Sequence, residues 1–218
     1  MLYASTVATP DGGFTVIADP EMVRAAGWAD NAEQLWVRLG VSPVPEAVRI
    51  VRDRTPGDAT VLSQAINAVR AYYGGDQTAV NNVQVRPAAS AFTRQVHEAL
   101  RATIPGERVS YSDLARRAGH PEAVRAAGSA CGKNATALFI PCHRAIRSDG
   151  TLGGFLYGLE IKASLLAREG SLPVGSDAEA TAGYGCSPDQ GFRGVLSTMG
   201  RTNGRFQARS AHGGSPHR

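Results

Sequence analysis

The sequence predicts an α+β protein. Apolar, β-branched segments gather before residue 30, helical periodicities follow from residue 60, and Gly/Pro punctuation separates the two. Its 218 residues suffice for two small domains with modest cores. The predicted divisions are 1–89, an antiparallel hairpin sheet with a helix; 90–170, mostly helical; and 171–218, a tail.

Residues 3–8 and 14–18 flank Pro10-Asp11-Gly12-Gly13, a hairpin pattern, and Met22 to Trp28 could add a strand. Trp28 and Trp36 read as core residues. Residues 43–57 carry three prolines and predict an irregular connection. Leu62, Ile66, Val69 and Tyr73 share a helical face that ends at Gly74-Gly75. Val80 to Arg86 predicts a short strand. Ser90 is an N-cap for a helix carrying Phe92, Val96, Ala99 and Leu100, broken by Ile104-Pro105-Gly106. Ser110-Tyr111-Ser112-Asp113 starts another helix, Gly119-His120-Pro121 turns the chain, and Glu122 to Ala130 is Ala-rich and helical. Two short helices across such a turn suggest a helix-turn-helix, though a plain αα-hairpin fits as well. Leu138-Phe139-Ile140 is a buried, strand-like run ending at Pro141, and Ile161 to Arg168 forms a last helix closed by Gly170. The tail has 9 glycines in 48 residues and no periodicity, a composition of disordered or loosely attached chain.

Composition narrows the function. No apolar run reaches the ~20 residues of a membrane helix, and no secretory signal is visible. Three cysteines, Cys131, Cys142 and Cys186, do not form a disulfide framework, which points to a reducing, cytoplasmic setting. Net charge is −2 over residues 1–89, +4 over 90–170 and +2 beyond, so the basic excess permits an anionic partner such as DNA.

The densest chemical signal is Ile140-Pro141-Cys142-His143-Arg144. A free thiol titrates near ~8.5 and needs a base or positive surroundings to act as a nucleophile, which His143 and Arg144 could supply. On an extended segment neighbouring side chains point apart, so His143 would act through a water. A bare Cys-His pair is more often a structural cysteine beside a surface histidine. No cysteine two or three residues away offers a metal site.

The wider run decides between these. Asn134 to Arg144, then Ser148-Asp149-Gly150-Thr151-Leu152-Gly153-Gly154-Phe155, Lys162, and Leu165 to Gly170 resemble the O6-alkylguanine-DNA alkyltransferase family, whose signature is the Pro-Cys-His-Arg segment. Ile104-Pro105-Gly106, Ser110 to Ala115 and Val124 to Gly128 resemble its DNA-binding helices. The likeness is strong over about residues 90–170, weaker over 1–89, and absent from the tail.

The resemblance implies a C-terminal winged helix-turn-helix and repair of alkylated double-stranded DNA by a monomer. One alkyl group moves from O6-alkylguanine, or from O4-alkylthymine, to Cys142, with no turnover and no cofactor. It implies that His143 takes the thiol proton through a water, that Glu169 orients the imidazole, and that Tyr111 donates toward guanine N3. It makes Arg125 the side chain that fills the stack when a base flips out, with the small residues Ala123, Ala126, Ala127 and Gly128 allowing close approach to DNA. Asn134 becomes a hinge, and Pro141, Gly153, Gly154 and Phe155 line the base pocket. Ala135 stands where the family often has proline, predicting a looser hinge, and His97 where it usually has tryptophan. Residues 1–89 hold no Cys or His, so the structural zinc of some members is not expected. Cys131 reads as a small buried residue, not a second acceptor. Two other classes compete: a non-catalytic lesion-binding relative, which would lack the acceptor cysteine, and a thiol hydrolase using Cys142 and His143.

Overall fold

The computed structural model describes residues 1–40, 48–50 and 60–171. The N-terminal part is a four-stranded sheet in the order β3-β2-β1-β4. Strands β1 (Leu2–Thr9) and β2 (Gly12–Ala18) form the expected hairpin, and β3 (Val23–Trp28) adds antiparallel to β2. Helix α1 (Ala32–Arg38) was not anticipated. Its signals are present all the same: the Asn31 side chain caps Gln34 N–H, and Ala32, Leu35 and Trp36 are buried at helical spacing.

Strand β4 (Val48–Ile50) pairs parallel to β1, inside the stretch expected to be irregular; the remainder of that stretch lies outside the described residues. Helix α2 (Val61–Tyr73), capped by Thr60, lays Leu62, Ala65, Ile66, Val69 and Tyr72 on the sheet. The strand expected over Val80 to Arg86 does not form. Ala79–Asn82 is a 3-10 turn, and only Val85 bridges to Val23, because Gln84 and Arg86 exchange hydrogen bonds with that one residue.

Helix α3 (Ala91–Arg101) starts at Ser90 as expected. Strand β5 (Val109–Ser110) runs into α4 (Tyr111–Arg117) through a capping box between Ser110 and Asp113. Helix α5 (Val124–Gly132) follows, beginning two residues later than predicted. Leu138 to Ile140 is buried but is a turn, not a strand: Leu138 has φ 73, and Ile140 N–H returns to the Thr136 carbonyl. A second 3-10 turn (Cys142–Arg144), β6 (Ala145–Ile146) and α6 (Leu159–Arg168) complete the described chain. Of the predicted tail, only Ser171 is described; residues 172–218 lie outside the described residues.

One buried cluster joins the sheet, α1 and α2 to Ala137, Leu138, Phe139, Tyr157 and Leu165. A second joins α3, α4 and α5 to Ile140, Cys142 and Ala145. The turn before Cys142 therefore lies between the two.

His97 ties α3 to α5. Its Nε2–H donates to the Ala130 carbonyl at 3.0 Å, and burial, opposed by that bond, lowers its pKa. His143 is also held neutral by burial. Below about pH 6.5 the unfolded chain takes up protons that these folded sites resist, so folding stability falls as pH drops through that range. Each site can contribute up to about 1.4 kcal/mol per pH unit. His97→Gln keeps an N–H for Ala130 without titrating, and melting temperatures measured from pH 7.5 to 5 should fall less steeply in this variant.

Candidate active site

Cys142 sits at the start of a 3-10 turn, with its side chain in a cavity of about 290 Å³. Tyr111, Gly128, Cys131, Gly132 and Asn134 line one part; Gly154, Phe155, Leu156 and Tyr157 line the other. Cys142 is buried, with 8% of the residue exposed, and it lines this cavity.

Asn134, just beyond the end of α5, reaches back across the turn. Its Nδ2 donates to the Ile140 carbonyl at 2.9 Å and to Cys142 Sγ at 3.0 Å, while Oδ1 accepts from Thr136 N–H at 3.0 Å. The following segment is tied to β3: Ala26 N–H donates to Ala135 O, and Ala137 N–H to Ala26 O. Asn134 thus couples α5, the turn and the sulfur.

Because Cys142–Arg144 is a turn and not an extended strand, His143 and Arg144 both swing inward. His143 is 1% exposed, and its Nε2 meets Glu169 Oε1 at 2.9 Å; Nδ1 is buried without a protein partner. Arg144 does not act on the thiol. Its Nε and Nη2 donate to the two oxygens of Glu169 at 2.8 and 2.9 Å, and Nη1 donates to Thr103. Burial alone would raise the Glu169 carboxyl, but hydrogen bonds and charge from His143 and Arg144 overrule it and hold the group well below the usual carboxylate range.

The positive group that does lower the Cys142 pKa is Lys162, whose task no local sequence signal discloses. It is fully buried on α6, and its ammonium donates to the carbonyls of Ala145, Leu152 and Gly154. It therefore clamps the loop at 152–154 to the segment after Cys142. Burial, opposed by the nearby thiols, lowers its own pKa to about 8. For Cys142 burial is the largest influence and raises the pKa, with Asn134 and Lys162 opposing it. The resting thiol is protonated.

Tyr111 opens α4 directly after its N-cap Ser110, and the parallel pairing of β5 with β6 holds it beside the Cys142 turn. Gly153, with φ 68, passes so close that an added Cβ would lie 3.0 Å from the Tyr111 hydroxyl. Gly153 and Pro141 do not line this cavity, unlike Gly154 and Phe155. Burial, with smaller contributions from the two thiols, raises the Tyr111 pKa, so the phenol keeps its proton.

On α5, Arg125 and Ala126 are exposed, and Ala123 and Gly128 are half-buried. Ala127 has no exposed surface and packs into the helical cluster, so it cannot face DNA. Cys131 is half-buried and lines the cavity, with its pKa pushed up to about 12, chiefly by burial. Tyr157 was not predicted. It stacks edge-on with Trp28 and Phe155, and Gly27 admits it, since a Cβ there would lie 1.9 Å from its hydroxyl. Among the described residues no cluster of three or more His, Cys, Asp or Glu could hold a metal.

Residues 91–171 match the family model for the 6-O-methylguanine DNA methyltransferase DNA binding domain. The chain is 30% identical over 172 residues to a methylated-DNA--protein-cysteine methyltransferase of Shigella flexneri, covering 78% of this chain and 97% of that protein. It is 54% identical over 80 residues to the bifunctional transcriptional activator/DNA repair enzyme Ada of Escherichia coli K12, covering 37% of this chain and 23% of Ada. The crystal structure of Mycobacterium tuberculosis OGT in complex with DNA is similar, with a TM-score of 0.61 and 26% identity over 78% of this chain and 95% of that one.

Lys162→Met should strand three carbonyls that now receive a charged donor, costing about 2–4 kcal/mol. With the ammonium gone, the Cys142 thiol should ionise at still higher pH. Chemical denaturation and the pH profile of Cys142 alkylation by iodoacetamide would show both changes, and unchanged values would count against this role for Lys162.

Proposed function

The chain belongs to the methylated-DNA--protein-cysteine methyltransferase family, and from that premise we propose that it repairs O6-alkylguanine in double-stranded DNA by moving the alkyl group onto Cys142, once per molecule. The observation that carries the reading is the placement of the Cys142 thiol. It is buried, held by Asn134, and lines a cavity that Tyr111 and Gly154 also border.

The steps follow from the groups at hand. The thiol proton passes to His143 through a water at Nδ1, while Glu169 stabilises the imidazolium at Nε2. The Cys142 thiolate attacks the alkyl carbon from the side opposite O6. The C–S bond forms as the C–O bond breaks, and its electron pair passes into the purine. Tyr111 meets the charge developing there through a hydrogen bond to N3. The product thioether has no easily expelled group, so the protein is consumed and no cofactor enters.

The base reaches this cavity only outside the helix. Arg125, exposed on α5, fills the vacated stack in this reading, and small Ala123, Ala126 and Gly128 let the helix approach the backbone. Phosphate contacts make affinity fall with salt. Its two described thiols are free, which suits a reducing, cytoplasmic setting.

Saturating the protein with an O6-methylguanine duplex and weighing the intact chain tests the reading. One added methyl on the Cys142 peptide is expected, and Cys142→Ala should bind the duplex without transfer. Unchanged mass with tight binding would indicate a lesion sensor, and repeated release of product a hydrolase; either overturns the proposal. Arg125→Ala should slow single-turnover transfer about tenfold or more, as loss of a stacking cation worth ~1–2 kcal/mol predicts. Tyr111→Phe should lower the rate with little effect on DNA affinity.

A further inference from the structure

The Glu169 carboxylate receives one donor that the steps above do not use. The Tyr72 hydroxyl, from α2 in the N-terminal part of the chain, donates to Glu169 Oε1 at 3.0 Å. This is the same oxygen that His143 Nε2 meets at 2.9 Å and that Arg144 Nη2 meets at 2.9 Å. Tyr72 is fully buried, 97 residues away in sequence, and lies in the core cluster beneath the sheet.

Orientation does not require this phenol. Arg144 already grips both carboxylate oxygens, and Gly106 N–H adds a donor to Oε2 at 3.3 Å. What the third donor on Oε1 does is draw electron density from the oxygen that faces the imidazole. We propose, resting on the reading above, that Tyr72 is a positioning residue that weakens the pull of Glu169 on His143 and so keeps the imidazole neutral and ready to accept the thiol proton.

The groups around the pair are few. His143 faces Glu169, the Arg144 guanidinium and the Lys162 ammonium, and both cations also favour the neutral ring. Glu169 faces His143, Arg144 and Tyr72; Tyr72 faces Glu169, Arg144 and the neighbouring Tyr73. Burial and the Glu169 charge both drive the Tyr72 phenol far above its ordinary value, so it stays a donor at every working pH. No proton leaves it.

The sign follows directly. Without the Tyr72 hydroxyl, Oε1 carries more charge, the imidazolium is held more firmly, and His143 binds a proton at higher pH. Protein with a protonated thiol and a protonated imidazole has no base, so the acid limb of the transfer reaction moves up. Simple loss of packing would lower stability or amplitude but would not move this limb.

The test uses the full chain with ¹⁵N-labelled histidine. In Tyr72→Phe, which keeps the ring, the His143 titration and the acid limb of single-turnover transfer should both rise by about half a pH unit, a fraction of one net hydrogen bond. Incorporating 3,5-difluorotyrosine at position 72 strengthens the same donor and should shift both down. If Tyr72→Phe does not fold, the fluorinated protein decides alone. A His143 titration that stays at the wild-type position in either folded variant overturns the proposal. The titration is read without DNA, so a chain that shifts as expected yet transfers no methyl would sink the repair reading and leave this one standing.

Discussion

Glu169 ends α6 with its carboxylate wholly enclosed, and three separate stretches of chain converge on it: Tyr72 from α2, Gly106 from the turn after α3, and the His143-Arg144 pair from the active-site turn. A carboxylate taken out of water loses several kcal/mol of hydration, so it can stay charged there only if the surrounding donors are in place together. Removing one partner of such a buried pair strands the other at a cost of about 3–5 kcal/mol. This demand makes the site a structural joint. The sheet-bound helix, the helical cluster and the reactive turn cannot move independently without leaving a buried charge short of hydrogen bonds. The same joint bears on the chemistry, because the His143 imidazole leans on Oε1, the oxygen that Tyr72 and Arg144 also hold, while Gly106 holds Oε2.

A second consequence concerns the thiol. Nucleophilic cysteines are often kept ionised by an adjacent cation, and Arg144, next but one in sequence, looked suited to that task. The fold assigns it elsewhere. Arg144 neutralises Glu169, and the cation acting on Cys142 is Lys162, spent largely on three backbone carbonyls. Burial then keeps the sulfur protonated and the imidazole neutral. A thiol that can be used only once gains from this. In the neutral state it reacts slowly with stray electrophiles and oxidants, whose attack depends on thiolate. In the proposed reaction, ionisation is coupled to transfer of its proton to His143, which rests on Glu169.

What could be read from the chain divides along a physical line. Helices carry local marks, and Thr60, Ser90 and Ser110 cap α2, α3 and α4 where turn chemistry says they should. The hairpin is equally local. The Cys142, His143, Asn134, Tyr111 and Glu169 set was legible through its motif, and the structure gathers these residues around one cavity and its supporting joint. The failures share a different cause. Leu138 to Ile140 has a strand's composition but makes a turn with Leu138 at positive φ, because the Ile140 N–H is taken by the Thr136 carbonyl and its carbonyl by the Asn134 side chain. Val80 to Arg86 reads as extended, yet it starts with a 3-10 turn and meets β3 through the single bridge of Val85 to Val23. Tyr72, Lys162 and Tyr157 look like ordinary core or helix residues in sequence, and their importance comes from contacts 8 to 131 positions away.

The pocket wall shows how far such long-range placement reaches. Tyr157 can stand beside Cys142 only because Gly27, on β3, leaves space that any side chain would fill. Its hydroxyl lies 3.3 Å from the Ala26 carbonyl, the residue that also pairs with the backbone on either side of Thr136, two residues beyond Asn134. One short segment of β3 therefore fixes both the aromatic side of the cavity and the hinge that holds the sulfur. A substitution at Gly27 would touch neither the reactive groups nor α5, yet it would displace both the Tyr157 side of the cavity and the segment beyond Asn134. The N-terminal sheet is thus part of the active site's geometry, although none of its strands contributes a reacting atom.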